Sequence, residues 1–208
     1  MKRAVILFAE GYETVEALLV VDLLRRGGVE VTMASITEDE FVRSSHGVNV
    51  EMDAVLGEVD VLDYDAVILP GGMPGTINLG ESDAVRKAIL AMNDAGKIVA
   101  AVCAAPGVLG KYGLLEGKTA CSFPQHEKNL IGATVVREPV VQIRRVWHSC
   151  HTHAALRIPS TEPIPSLFAQ VLPQNSQNSQ KLQAEDILPR NSQNTQIFLL
   201  RQSFLCVP

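Results

Sequence analysis

A cysteine that directly follows a short apolar run is the leading candidate for chemistry in this 208-residue chain. The run Ile98–Val102 is rich in small and β-branched residues, which predicts a buried strand. Pro106 fits the first turn of a following helix, where its missing N–H costs little. We therefore expect Cys103 on a sharp strand-to-helix turn, with its sulfur near free backbone N–H groups that lower the pKa of the thiol.

Two further features lie where they could assist a cysteine. Glu16 falls in the first predicted helix, and Gly71 and Gly72 form a turn after another apolar run. A glycine turn lets a backbone N–H approach a ligand because no Cβ blocks it. Each feature alone also has a plain structural interpretation: Cys103 as a small core residue, and Glu16 as a solvated helix carboxylate.

The elements that must position these residues follow an α/β pattern. Apolar runs alternate with amphipathic segments, which predicts a doubly wound, mostly parallel sheet with helices on both faces. The predicted strands cover 4–9, 29–35, 65–70, 98–102, 119–122 and 134–141, the predicted helices cover 13–26, 82–92 and 106–112, and 38–53 suggests a hairpin. Ligands of such sheets bind at the carboxyl ends of the strands, and Glu16, Gly72 and Cys103 all follow such ends.

Composition excludes several classes of partner. A net charge of −5 and a hydrophobic content of 47% argue against nucleic acid or an anionic membrane surface as partner. No apolar run reaches the roughly 18 residues that a membrane span needs. The cysteines lack a C-x-x-C pair or regular spacing, so we expect no disulfide framework and a cytoplasmic protein.

Several motifs occur in a fixed order within about residues 1–142. They are Glu13-Thr14-Val15-Glu16-Ala17, Leu69-Pro70-Gly71-Gly72, Ala100-Ala101-Val102-Cys103-Ala104-Ala105-Pro106, and Phe123-Pro124 with Lys128. Together they resemble the ThiJ/PfpI superfamily, in the YajL-like branch that includes the Parkinson-linked deglycase. The resemblance implies a flavodoxin-like α/β fold, usually a homodimer, with no cofactor.

The resemblance also implies roles for individual residues. Cys103 corresponds to the nucleophile and Glu16 to the acid that hydrogen-bonds its sulfur, while the backbone N–H groups of Gly72 and Ala104 would form the oxyanion site. A protonated Glu16 would donate to the thiolate and later pass its proton to a substrate oxygen. That role requires burial that keeps the carboxyl protonated.

The activity that the resemblance implies is a cysteine-dependent, cofactor-free glyoxalase or deglycase. Its substrates would be methylglyoxal-type 2-oxoaldehydes or their early adducts. Two alternatives stay open: a redox-sensing chaperone of the same family without turnover, and an inactive frameshifted product.

Two histidines are candidates for accessory roles. Phe123 stands where some relatives carry a histidine near the cysteine, and His126 lies three residues further on. His46 stands where relatives carry an arginine that reaches the neighbouring subunit's site. An ordinary surface position is the plain alternative for His126.

The last third of the chain departs from the family pattern. The family continues with a strand, a Gly-Pro-Gly-Thr turn and a long helix, and we expect none of these in residues 143–208. That region is a divergent tail with a repeated Asn/Gln/Ser-rich stretch, which predicts disorder from about residue 158. Its closely spaced His148, Cys150, His151 and His153 do not suit a tetrahedral metal site, so we predict no metal.

Overall fold

A seven-stranded sheet organises residues 2–143 and 145–149, which are the parts of the chain that the computed structural model describes. The sheet strands are β1 (Arg3–Phe8), β2 (Glu30–Ser35), β5 (Ala54–Val55), β6 (Ala66–Leu69), β7 (Ile98–Val102), β10 (Val140–Ile143) and β11 (Val146–Ser149). Their order is β10-β11-β7-β6-β1-β2-β5, and every pairing is parallel except that between β10 and β11. Two small pairs stand apart: β3 (Phe41–Arg43) with β4 (Asn49–Glu51), and β8 (Thr119–Ala120) with β9 (Thr134–Val135).

Strand β1, which lies between β6 and β2, is buried on both faces. Ile6 and Phe8 belong to one apolar cluster, whereas Val5 and Leu7 belong to the other. All four side chains are fully buried. Successive residues of a strand point to opposite faces. A continuous apolar run therefore contributes side chains to the apolar clusters on both faces of the sheet, as the sequence predicts.

Helices cover both faces of the sheet, which confirms the predicted fold class. Helix α1 (Thr14–Arg26) contributes to the cluster that contains Ile6, and three helices contribute to the cluster that contains Val5. These three are α2 (Gly75–Glu81), α3 (Asp83–Asp94) and α4 (Pro106–Lys111). The sequence patterns did not predict α2. No helix in the described ranges is long and apolar enough to cross a membrane.

Helix caps explain where α1 and α3 begin. The Glu13 carboxylate accepts hydrogen bonds from the first backbone N–H groups of α1, at 2.9 Å from Thr14 N. Ser82 Oγ accepts from Val85 N at 3.3 Å and caps α3 as predicted. Both caps satisfy donors that would otherwise lack an intrahelical partner.

The structure corrects the predicted end of the sheet. The strand expected over 134–141 is divided into β9 and β10. A strand absent from our expectation, β11, pairs with β7 in parallel, so the sheet continues to Ser149, past the boundary predicted at residue 142. The predicted loss of the family's last helix and the predicted disorder after residue 158 concern residues outside the described ranges.

The connections place a crevice at one edge of the sheet. The chain passes from β1 to β2 on one side, and then to β6 and β7 on the other side of β1. In parallel α/β sheets such a reversal of strand order opens a crevice at the carboxyl ends of the strands. The segments that follow β1, β6 and β7 therefore meet there.

Candidate active site

Cys103 occupies a strained corner at the end of β7. Its φ is +60°, and among the described residues no other non-glycine residue has a positive φ. Its N–H donates to Ser149 O at 2.8 Å, and its carbonyl accepts from Phe123 N at 2.7 Å. A non-glycine residue in this conformation costs about 1–3 kcal/mol and persists where the surroundings hold it. The sharp turn predicted from the sequence is therefore present.

Glu16 lies beside this corner. It sits in the first turn of α1, its exposed fraction is 8%, and its carboxyl group is hydrogen-bonded to the Cys103 thiol. The interpretation of Glu16 as a solvated helix carboxylate is therefore wrong. The two residues singled out from different parts of the sequence form one pair of polar groups.

Gly71 makes the space that this pair occupies. A Cβ added at Gly71 would overlap Glu16 Oε2 and would lie 2.8 Å from Cys103 Cβ. Sequence reasoning noticed the glycine turn but assigned the site role to Gly72. The signal that was available is the Pro-Gly-Gly turn itself, because glycine marks a close backbone approach.

Gly72 serves the packing of the turn against the start of α1. Its φ is +99°, and an added Cβ would lie 2.7 Å from the carbonyl carbon of Tyr12. Glu13 N donates to Gly71 O at 2.9 Å, which joins the turn to the cap of α1. The oxyanion role of the Gly72 N–H stays a prediction.

The electrostatics of the thiol differ from the sequence-based expectation. Burial and the negative charge of Glu16 raise the pKa of the Cys103 thiol, and the Ala104 N–H, which is hydrogen-bonded to it, acts in the opposite direction. The expected lowering of the thiol pKa by the helix start is wrong, because one N–H does not offset burial beside a carboxylate. The pair therefore cannot be fully ionised near neutral pH.

The structure does not bring His46 to the thiol. The side chain of His46 is 83% exposed, and its Nδ1 lies 3.0 Å from Ser45 Oγ and 3.8 Å from Glu13 Oε2. His126 is half-buried and packs against Phe123, with ring centroids 6.3 Å apart. It lines a cavity of about 420 Å³ to which Ala104 and Met73 also contribute.

No cluster of three or more His, Cys, Asp or Glu side chains within the described ranges could hold a metal ion. Of the tail residues considered for a metal, His148 is buried in β11. Cys150, His151 and His153 lie outside the described ranges.

Two DJ-1 proteins and one deglycase are similar to this chain in sequence. Drosophila melanogaster dj-1beta is 37% identical over 130 residues, which are 62% of this chain and 70% of that protein. A Pyrococcus abyssi deglycase is 35% identical over 134 residues, or 64% of this chain and 79% of that protein. The match spans only 33% of DJ-1 homolog B from Arabidopsis thaliana.

Solved structures share the fold. Drosophila DJ-1beta superposes with a TM-score of 0.73 at 30% identity, covering 82% of this chain and 90% of that chain. Oxidized Toxoplasma gondii DJ-1 gives 0.69 at 32% identity, covering 74% and 85%. The DJ-1/PfpI family model matches residues 2–158. With its flavodoxin-like sheet and these relatives, the chain belongs to the DJ-1/PfpI family.

Proposed function

We propose that the chain is a cysteine-dependent, cofactor-free glyoxalase or deglycase acting on methylglyoxal-type 2-oxoaldehydes or their early adducts. The observation that carries the proposal is the hydrogen-bonded pair of Cys103, on its strained corner, and buried Glu16. A nucleophile within reach of an acid–base group is the signature of covalent catalysis. The deglycase of Pyrococcus abyssi among the relatives supports the same chemistry.

The proposed reaction uses one proton that Cys103 and Glu16 exchange. Burial and the negative charge of Glu16 raise the pKa of the Cys103 thiol, so the thiolate needs a partner that takes its proton. In the proposal the thiol proton passes to Glu16, and the protonated carboxyl group then donates a hydrogen bond to the sulfur. The Ala104 N–H stabilises the same negative charge.

The proposed reaction starts from the Cys103 thiolate and the protonated carboxyl group of Glu16. The sulfur attacks the aldehyde carbon, and Glu16 gives its proton to the developing alkoxide, so a hemithioacetal forms. Glu16 then takes the proton of the former aldehyde carbon and returns it to the neighbouring carbon. The hydroxyl proton moves at the same stage from the oxygen of the first carbon to the oxygen of the second, which leaves a thioester with a 2-hydroxyl group. Water hydrolyses the thioester to a 2-hydroxy acid and restores the thiol. No oxidant or reductant is consumed.

Lactate formation from methylglyoxal tests the proposal. We expect the wild-type chain to form lactate and Cys103→Ser to lose at least about 1,000-fold in rate, because the nucleophile is removed. Cys206→Ser controls for the loss of a thiol elsewhere in the chain. Equal lactate formation by Cys103→Ser would refute the proposal.

A redox-sensing role is a second candidate, favoured by the oxidized form in which the Toxoplasma relative was solved. The Cys103 sulfur would attack peroxide, forming an S–O bond as the O–O bond breaks, and a second peroxide would give the sulfinate. Intact-mass measurement with peroxide tests this. Oxidation of Cys103 with suppression of aggregation, in a protein that forms no lactate, would favour the sensor over the enzyme.

A homodimer is also proposed, through the hairpin of β3 and β4 and the start of α1. Val15, Phe41 and Val48 expose 56%, 59% and 44% of their surface there, and His46 lies in the same hairpin. Apolar groups grouped at a surface favour association. We expect a dimer in sedimentation of the wild type, a monomer for Phe41→Asp, and no change for Leu62→Asp, a control residue with 45% exposure.

A reducing compartment such as the cytoplasm suits the proposed chemistry. Cys103 and Cys121 are both unbridged. A nucleophilic thiol must stay reduced to work.

A further inference from the structure

A buried contact between Cys121 and His148 has no part in the proposed reaction. His148 lies in β11 with an exposed fraction of 1%, and Cys121 has the same exposed fraction just after β8. Cys121 N donates to His148 Nδ1 at 3.2 Å. The Cys121 thiol also donates to His148 O at 3.5 Å.

Residues close in sequence to both partners of this contact form hydrogen bonds with the backbone of Cys103. Ser149, directly after His148, accepts the N–H of Cys103 through its carbonyl. Phe123, two residues after Cys121, donates its N–H to the carbonyl of Cys103. The two peptide groups of Cys103 are thus held from two separate parts of the chain.

The contact joins those two parts. In the described ranges β11 pairs with β7 and β10, and β8 pairs with β9, so no sheet pairing links β11 to the segment that begins at Cys121. We propose that His148 is a positioning residue for Cys103. By accepting the Cys121 N–H, His148 connects β11 to the segment that ends at Phe123. This connection holds the two hydrogen-bond partners of the Cys103 backbone in place and so maintains the strained conformation of Cys103. The proposal rests on the proposed function only for its catalytic readout.

The state of the imidazole suits this role. Burial, with a smaller effect of the Lys118 charge, lowers the pKa of His148 to about 4. The ring is therefore neutral at physiological pH. Because Nδ1 accepts the Cys121 N–H, the single ring proton of the neutral imidazole is assigned to Nε2. The groups that face it electrostatically are Lys118 and the Cys121 thiol.

Two amide variants separate positioning from packing. The side-chain oxygen of His148→Asn takes the place of Nδ1 and keeps the acceptor, whereas His148→Gln moves its amide to the place of Nε2. Both variants are polar, and both are smaller than or similar to histidine in volume. A general effect on stability would not favour the smaller Asn variant over the Gln variant.

We expect His148→Asn to form lactate from methylglyoxal with a kcat within about three-fold of wild type. His148→Gln should lose about ten-fold or more in kcat with little change in KM, because a misplaced reacting group slows the chemical step. The same order is expected for the rate at which iodoacetamide alkylates Cys103 at neutral pH, read by mass spectrometry of its peptide. Ile89→Val, in the fully buried part of α3, controls for a modest loss of stability. It should leave both rates unchanged.

The two readouts keep the outcomes distinct. If the wild type forms no lactate, the proposed function fails, and alkylation alone decides the role of His148. Equal alkylation and equal kcat for folded Asn and Gln variants would overturn the proposal. So would an Asn variant as impaired as the Gln variant, because the accepted N–H would then not be the cause.

Discussion

Replacement of Gly71 by alanine tests how tightly the thiol and the carboxyl are held together. The added Cβ would overlap Glu16 Oε2 and would lie 2.8 Å from Cys103 Cβ and 3.1 Å from Val102 O. Both of the first two contacts are too close for a real Cβ, so the Glu16 carboxyl group and the neighbouring Cys103 must both be displaced from the added methyl group. The carboxyl group has to move by about 1 Å to reach ordinary van der Waals contact.

The expected cost follows from that displacement. A misplacement of about 1 Å can cost about 100-fold in rate, which corresponds to about 2.7 kcal/mol of activation free energy. Gly71 does not adopt a left-handed φ, so alanine adds no backbone strain. Overpacking lowers the free energy of unfolding by about 1–3 kcal/mol.

The assay is kcat/KM for lactate formation from methylglyoxal, at a temperature where urea unfolding shows the variant to be folded. Gly57→Ala is the matched control, because an added Cβ at Gly57 meets no heavy atom within 4 Å. It should keep wild-type kcat/KM. A folded Gly71→Ala protein with wild-type kcat/KM would refute the claim that the relative position of Glu16 and Cys103 matters.

Three other outcomes follow from the structure. Ser82→Ala removes the cap of α3 and should lower the free energy of unfolding by about 1 kcal/mol in urea, while Ser82→Asp should restore it. His148 has a folded-state pKa of about 4 against an ordinary value near 6.5, so the unfolded chain binds the proton first as pH falls. This residue should therefore contribute a drop of about 2–3 kcal/mol to the free energy of unfolding between pH 7.5 and 4.5. His148→Asn should lack that component of the drop, and an identical drop in both proteins would contradict it. Ile89→Ala, at a fully buried position, should cost about 2–5 kcal/mol in the same measurement.

The parallel core was predictable because its signal is local. Runs such as Ala66–Leu69 and Ile98–Val102 are apolar throughout, which is typical of strands buried on both faces. The cap at Ser82 and the hairpin around Gly47 also follow from residues that lie next to each other in sequence. The position and type of each of these elements are determined by residues within it or next to it in the sequence.

The end of the sheet was missed because its signal is not local. Strand β11 has two residues that favour strands, Val146 and Trp147, but it is only four residues long and ends in His148 and Ser149. It forms because the edge of β7 offers it unpaired backbone groups. Helix α2 was missed for a related reason. It begins at Gly75, and its Leu79 is buried by the apolar cluster that residues of the sheet, α3 and α4 form together.

The candidate site was predictable in its members but not in its electrostatics. A cysteine at the end of a strand suggests a helix start that lowers the pKa of a thiol. The sequence does not reveal that Glu16 is buried against the same sulfur, and that contact reverses the direction. The Cys121–His148 contact joins residues 27 positions apart and could not be read from spacing.

The central claim is that Cys103 and Glu16 act as one proton-sharing pair in a 2-oxoaldehyde reaction. Its most direct measurement is lactate formation by Glu16→Gln, with alkylation of Cys103 followed on the same sample. The account predicts a folded protein whose Cys103 still reacts with iodoacetamide, but whose kcat falls by about 100-fold or more, because an amide cannot carry the proton. A Glu16→Gln protein that forms lactate at the wild-type rate would contradict it.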